Sequence, residues 1–467
     1  MPGRSRPGTA ILLAAAILFA GVAAESKAAK VSAESESTAR QLIEQGLKDD
    51  LAMNLIESLT TEVGPRLAGS EADARAVQWA VRKYRELGFD KVWTEPVTFR
   101  NWERRSEGAE VLGEHRQKLV VTALGGSPGG TVEAEIVRFG SVDELRAAPA
   151  GSLSGKIAFV DTVMGRYKDM TGYNGVGSAR SQGPSVASQK GAVGYLMRTV
   201  GTNYSRVANT GMTSFGEGVQ PIPAAAVALP DADQLDRLLK KGPVRVRLAL
   251  DCGWGGEVTS YNVIAEITGS KTPREWILLG GHLDSWDMGT GAVDDASGIG
   301  ITAAAAKMIA SLPVRPKRSI RVVAFANEER GLIGARQYAV AHAADVAKHV
   351  LALESDSGSG RLYAFNYSSA AEGGPFLESM KNLMGTLGIE HAGGAGGPGP
   401  DVVPMAGKGA AWAWFGQDMT RYFDLHHTAD DTFDKVDRQA IRQNVAAFAA
   451  LAYMAAQYDG SFGSAKK

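Results

Sequence analysis

Between residues 276 and 356, three short apolar runs each break off in side chains that bind cations. Trp276 to Gly280 leads into His282, Arg321 to Ala326 ends at Asn327-Glu328-Glu329, and His349 to Leu353 ends at Glu354-Ser355-Asp356. Short apolar runs that alternate with helical patterns specify strands buried on both faces. Ile299 to Leu312 is an alanine-rich helical stretch, and Asp437 to Tyr458 reads as a closing helix with Ile441, Val445, Phe448 and Leu451 inward. The rhythm predicts an α/β fold with a mostly parallel mixed sheet sandwiched by helices. Sites in such sheets form beyond the carboxyl ends of the strands, so three separate runs deliver ligand chemistry to one edge.

The polar segments are specific only together. The first is Gly281-His282-Leu283-Asp284-Ser285-Trp286-Asp287, followed by Gly291-Ala292-Val293-Asp294-Asp295-Ala296-Ser297-Gly298. The last is His426-His427-Thr428-Ala429-Asp430-Asp431-Thr432, in a loop before the closing helix. Each has a plain reading alone. Asp294-Asp295 can cap the next helix, a Glu pair is usually solvated, and Asp356 can close a turn with Ser357-Gly358. The ordered set His-x-Asp, Asp-Asp-x-Ser-Gly, Glu-Glu, Asp and His-x-x-x-Asp-Thr is far more restrictive. Imidazole mixed with carboxylate is a donor set that suits zinc. Asp284 lies two residues from His282, so on an extended strand its carboxylate is placed to accept the ring's other N–H.

The rest of the chain sets the frame. At 467 residues, two domains are more plausible than one. Ala39 to Leu59 has helical spacing, Ser70 caps a second helix ending near Gly88, and Val92 to Phe99 reads as a strand. From about Lys118 to Cys252 the texture changes to short alternating or apolar runs densely punctuated by Gly and Pro, which predicts a β-rich domain with one or two helices. Gly393 to Pro400 is a glycine-proline loop expected to line a cleft. Residues 1–24 have the charged start, short apolar run and small-x-small end of an export signal, which implies a periplasmic or extracellular protein without a lasting membrane anchor. Residues 25–38 are expected to be a mobile terminus or short pro-segment. The 50 basic and 51 acidic residues form no basic block, so nucleic acid is not an expected partner. The single cysteine, Cys252, precludes an intrachain disulfide and reads as a small buried hydrophobe.

With these motifs, the chain resembles the co-catalytic zinc exopeptidases of the aminopeptidase and transferrin-receptor superfamily. Asn262-Val263-Ile264-Ala265-Glu266-Ile267-Thr268-Gly269-Ser270 and Gly280-Gly281-His282-Leu283-Asp284-Ser285-Trp286-Asp287 carry the closest likeness. The resemblance implies a catalytic domain from residues 39–117 and 254–467, with a protease-associated-like domain inserted over 118–253. It implies two Zn2+ ions: His282 and Asp356 on one, Glu329 and His427 on the other, Asp294 between them, and Glu328 as general base. His427 is taken over His426 for its spacing to Asp431-Thr432. The implied substrates are short peptides or dipeptides, and relatives of this kind point to a homodimer. Two other readings stand beside it: a binding or receptor protein on the same fold, and a one-zinc glutaminyl-cyclase-like transferase. Which peptide end is read stays open. Arg421, Lys408 and Asp401 stand in loops near the expected cleft, and Tyr422 is one loop group able to stabilise an oxyanion.

Overall fold

The computed structural model describes residue 3 and residues 31–464. The expected export signal therefore lies, apart from residue 3, outside the described residues. Part of the expected mobile terminus is ordered: Ser32 accepts from the Ser35 amide and caps the helix Ala33–Gly46. The helical pattern from Ala39 to Leu59 is broken after Gly46 and resumes as Leu51–Glu62. Gly46 sits so close to the closing helix that a Cβ there would lie 2.7 Å from Ala446 Cα. The Asp49 carboxylate accepts from the Leu51 amide and starts the second helix.

Strands His349–Glu354, Thr272–His282 and Arg318–Phe325 lie side by side in parallel. The next strand, Arg245–Ile267, is antiparallel and 23 residues long. It pairs with the 21-residue strand Lys91–Val111 over nearly their whole lengths. Arg245–Ile267 then passes the sheet on to Gly130–Phe139, followed by the parallel strands Ile157–Val160, Gly194–Arg198 and Ala224–Val227. One sheet of 11 strands thus runs through the molecule, with antiparallel pairings about as frequent as parallel ones. The sheet is mixed, as expected, but lacks the parallel majority expected of it. Gly253, Gly255 and Gly256 look like a break in the sequence, yet Trp102 stands opposite Trp254 and Glu103 opposite Gly253, so the strand continues through residue 253.

Residues 118–253 hold four helices, Val142–Ala147, Thr171–Ser181, Gly183–Gln189 and Leu229–Leu239, against strands that are largely parallel. This region is α/β rather than β-rich. Glycines at 172, 175 and 177 hid the helix Thr171–Ser181, because glycine disfavours helix and interrupts its apolar spacing. The other expected helices form: Ser70 caps Glu71–Glu86, Ser297–Ala310 packs as a largely buried, alanine-rich helix, and Asp437 caps Arg438–Gln457. Among the described residues, no helix is long and apolar enough to cross a membrane. Cys252 is buried and free, and burial pushes its thiol up to about 11.

A buried ion pair ties the two long strands to the parallel core. Glu266 accepts from Lys91 at 2.6 Å, Arg321 at 2.9 Å and the Trp276 indole at 2.9 Å. Removing only the acid would leave the Arg321 cation buried without its counter-charge. Glu266→Ala is expected to lose about 3–5 kcal/mol in denaturant unfolding. A loss below ~1 kcal/mol would show that solvent reaches Arg321.

Candidate metal centre

The three parallel strands finish at one edge. His282 ends its own strand, Glu328 and Glu329 follow Phe325 by three and four residues, and Asp356 follows Glu354 by two. Between His282 and the helix Ser297–Ala310 the chain turns back and presents Asp294 to His282. Two groups set that turn. Arg66, fully buried, donates to the carbonyls of Leu283 at 2.5 Å, Thr290 at 2.6 Å and Gly291 at 2.9 Å. Asp431 accepts from the amides of Val293 at 2.6 Å and Asp294 at 3.1 Å. The Asp294–Asp295 peptide is cis. The capping reading applies to Asp295, whose carboxylate accepts from the amides of His282 at 3.0 Å and Gly298 at 2.9 Å.

Asp294 stands between two imidazoles. Its Oδ1 is 2.9 Å from His282 Nε2, and its Oδ2 is 3.3 Å from His427 Nε2. Asp356 Oδ1 lies 3.4 Å from His282 Nε2, and Glu329 Oε2 lies 2.9 Å from His427 Nε2. His282, Asp294, Glu329, Asp356 and His427 therefore share one site, and Glu328 lines the same cavity as Asp294, Glu329, Asp356 and His427. His426 stacks on His427 with ring centroids 3.5 Å apart, but its Nε2 is 3.7 Å from Asp294. No ion pair joins His426 to Glu329 among the described residues, so the geometry favours His427 as Glu329's partner.

Asp284 acts differently from its expected role. The His282 Nδ1–H donates to the Asp284 backbone carbonyl at 3.0 Å, while the Asp284 carboxylate is 3.9 Å away. That carboxylate accepts from the Glu328 amide at 3.0 Å instead. The backbone oxygen thus fixes the ring, and the side chain fixes the segment bearing Glu328. The strand ends at His282, and the chain beyond it no longer keeps alternate side chains on one face.

The donor set fits divalent metal. Ligand atoms of His282, Asp294 and Glu329, and of His282, Asp295 and Asp356, come within 4.8 Å of one another, and Glu329 Oε1 is buried without a hydrogen-bond partner. Burial pushes Glu328 and Asp356 up, reinforced by neighbouring carboxylates and opposed by His282. Burial also raises Glu329, while hydrogen bonds from His282 and His427 overcome burial and hold Asp294 well below the carboxylate range. Burial alone would depress the imidazoles, but the surrounding acids prevail. His282 stands well above its usual value and His427 at about 9. The same acids that favour a proton on these rings would also favour a cation, so proton and cation compete for the two imidazoles. Metal loading is expected to release protons, with affinity falling as pH falls. Calorimetry in buffers of different ionisation enthalpy reads this directly, and heats independent of the buffer would count against it.

A cavity of about 530 Å³ opens over these groups. Gly397 to Pro400 line it, as the glycine-proline loop was expected to do. Tyr422 also lines it and donates to Asp294 Oδ2 at 3.2 Å. Lys408 is exposed and Arg421 lines a different cavity. Asp401 is fully buried behind Glu354, whose carboxylate accepts from the Asp401 amide at 2.8 Å. The groups arriving from residues 118–253 left no sign in the sequence. Tyr173, Arg180 and Met212 line the cavity, and the Thr210 carbonyl lies 3.2 Å from His427 Nδ1.

An α/β sheet that gathers imidazoles and carboxylates beyond its strand ends in this way defines a metal-dependent hydrolase. The sequence pattern of peptidase family M28 matches residues 262–452. Mouse carboxypeptidase Q is 32% identical over 86% of this chain and 84% of its own length. The crystal structure of a peptidase M28 precursor from Shewanella amazonensis SB2B has 45% identity and a TM-score of 0.89, covering 92% of this chain and 98% of that one. A zinc aminopeptidase from Bacillus subtilis shares the fold, with a TM-score of 0.62 at 19% identity over 86% of this chain and 94% of its own. The chain belongs to peptidase family M28, and it is a metallo-exopeptidase.

Proposed function

We propose that this enzyme is a two-zinc exopeptidase that hydrolyses short peptides or dipeptides. One observation carries the reading: the two oxygens of Asp294 face two different histidines, each with its own further carboxylate. His282 and Asp356 would hold one ion, Glu329 and His427 the other, and Asp294 both. When bound, the ions supply Lewis acidity that acidifies water and polarises the scissile carbonyl. Glu328 takes the proton from the attacking water and returns it to the leaving amine. Asp284, through the Glu328 amide, keeps the base at the cavity wall. The 530 Å³ cavity is of the size that encloses small ligands, which favours short peptides over folded chains. Residues 118–253 are read as an insertion into a catalytic portion formed by 39–117 and 254–467, and the export pattern of residues 1–24 as placing the enzyme outside the cytoplasm.

Chelation followed by zinc titration tests this function. Stripped protein is expected to lose hydrolysis of unblocked dipeptides and to regain it as two zinc ions bind per chain. Blocking the amino or the carboxyl end of the same dipeptides then identifies the end that is read. Hydrolysis that survives complete chelation would defeat the proposal. Zinc-loaded protein that cleaves nothing would favour a binding protein, and full activity at one zinc per chain would favour a one-metal enzyme.

A further inference from the structure

We propose that residues 118–253 are a working part of the second metal site, with Arg180 and the Thr210 carbonyl as positioning groups for His427. The inference rests on the two-ion reading above. His427 turns Nε2 toward Glu329 and Asp294, which leaves Nδ1 to carry the ring hydrogen. That N–H donates to the Thr210 carbonyl at 3.2 Å, and the Thr210 amide donates back to the His427 carbonyl at 3.0 Å. The two bonds fix both the tautomer and the backbone of His427. The backbone needs such fixing, because its φ of +59° is sparsely populated by residues other than glycine.

The two histidines differ in where this support originates. The carbonyl that orients His282 comes from Asp284, two residues along the same chain segment. The carbonyl that orients His427 comes from a segment 217 residues away in sequence. One metal position is therefore self-contained, and the other is shared between two parts of the molecule.

Arg180 holds the shared part. Its Nη1 donates to the Thr210 carbonyl at 3.1 Å and lies 3.4 Å from His427 Nδ1, and its Nη2 donates to the Tyr173 hydroxyl. The guanidinium lies flat against Gly211, where an added Cβ would be 2.4 Å from Arg180 Cζ. Arg180 is buried and forms no ion pair among the described residues, so its placement is set by these neutral contacts. Loss of the guanidinium, or its displacement by a side chain at 211, frees the Thr210 carbonyl and with it the His427 ring. Groups that orient a metal ligand typically contribute 10–100-fold in affinity.

The test is zinc titration of metal-free wild type, Arg180→Met and Gly211→Ala by calorimetry, with metal content measured after desalting. Wild type is expected to bind two ions. Both variants are expected to bind the first ion as wild type does and the second roughly 10–100-fold more weakly. The unchanged first site reports that the variants are folded. Two ions bound as tightly in both variants as in wild type would overturn the inference while leaving the two-ion reading intact, even if activity fell. Equal weakening of both sites would also overturn it, because the effect would then be general. A single ion in wild type would reject the two-ion reading and the inference with it.

Discussion

Glu328→Gln is expected to retain both metal ions and lose roughly 10³-fold in kcat/KM, about 4 kcal/mol of transition-state stabilisation. The substitution is nearly isosteric, and the backbone of residue 328 is pinned independently of its side chain. The amide donates to Asp284, and the carbonyl accepts from the amides of Gly331 at 2.8 Å and Leu332 at 2.9 Å. Glu329 therefore keeps its place beside His427. Only the capacity to take and return a proton is removed. Metal content and kcat/KM measured on the same sample separate the two effects. Turnover within tenfold of wild type would move the base role elsewhere, and loss of metal would make Glu328 a ligand.

Asp294→Ala should act in the opposite order, on the metals first. Among the described residues, Asp294 is the one carboxylate paired with both histidines, and it also accepts from Tyr422. Its removal takes a charged donor from each position and leaves the facing imidazole nitrogens without their common partner. At least about a 100-fold loss of zinc affinity is expected, exceeding the usual effect of a supporting group. Activity should fall at least as far as in Glu328→Gln, and excess zinc should restore only part of it. Two ions retained after desalting would show that Asp294 does not bridge. The pair of variants thus distinguishes holding the metal from using it.

The candidate site was legible in the sequence because each proposed ligand follows a buried strand or a turn whose role is local. His282, Glu328, Glu329 and Asp356 were placed by three apolar runs, and the parallel pairing of those runs brings them to one edge. Capping was similarly legible at Ser70 and Asp437, where a side chain meets amides two or three residues away. Long-range features were less readable. The glycines at 253, 255 and 256 mimic a turn, but pairing with Lys91–Val111 keeps that stretch extended. The helix Thr171–Ser181, which brings Tyr173 and Arg180 to the cavity, was hidden by its own glycines.

The donor types, their order along the chain and the α/β framework that presents them are readable from the amino-acid order, because they depend on side-chain chemistry and on hydrophobic periodicity. The folded chain alone reveals that the Asp284 backbone carbonyl meets the His282 ring, that His427 rather than His426 faces Glu329, and that the Thr210 carbonyl meets His427. A carbonyl oxygen is the same at every residue and leaves no mark in a sequence. Its role is set by what the fold places within about 3 Å of it.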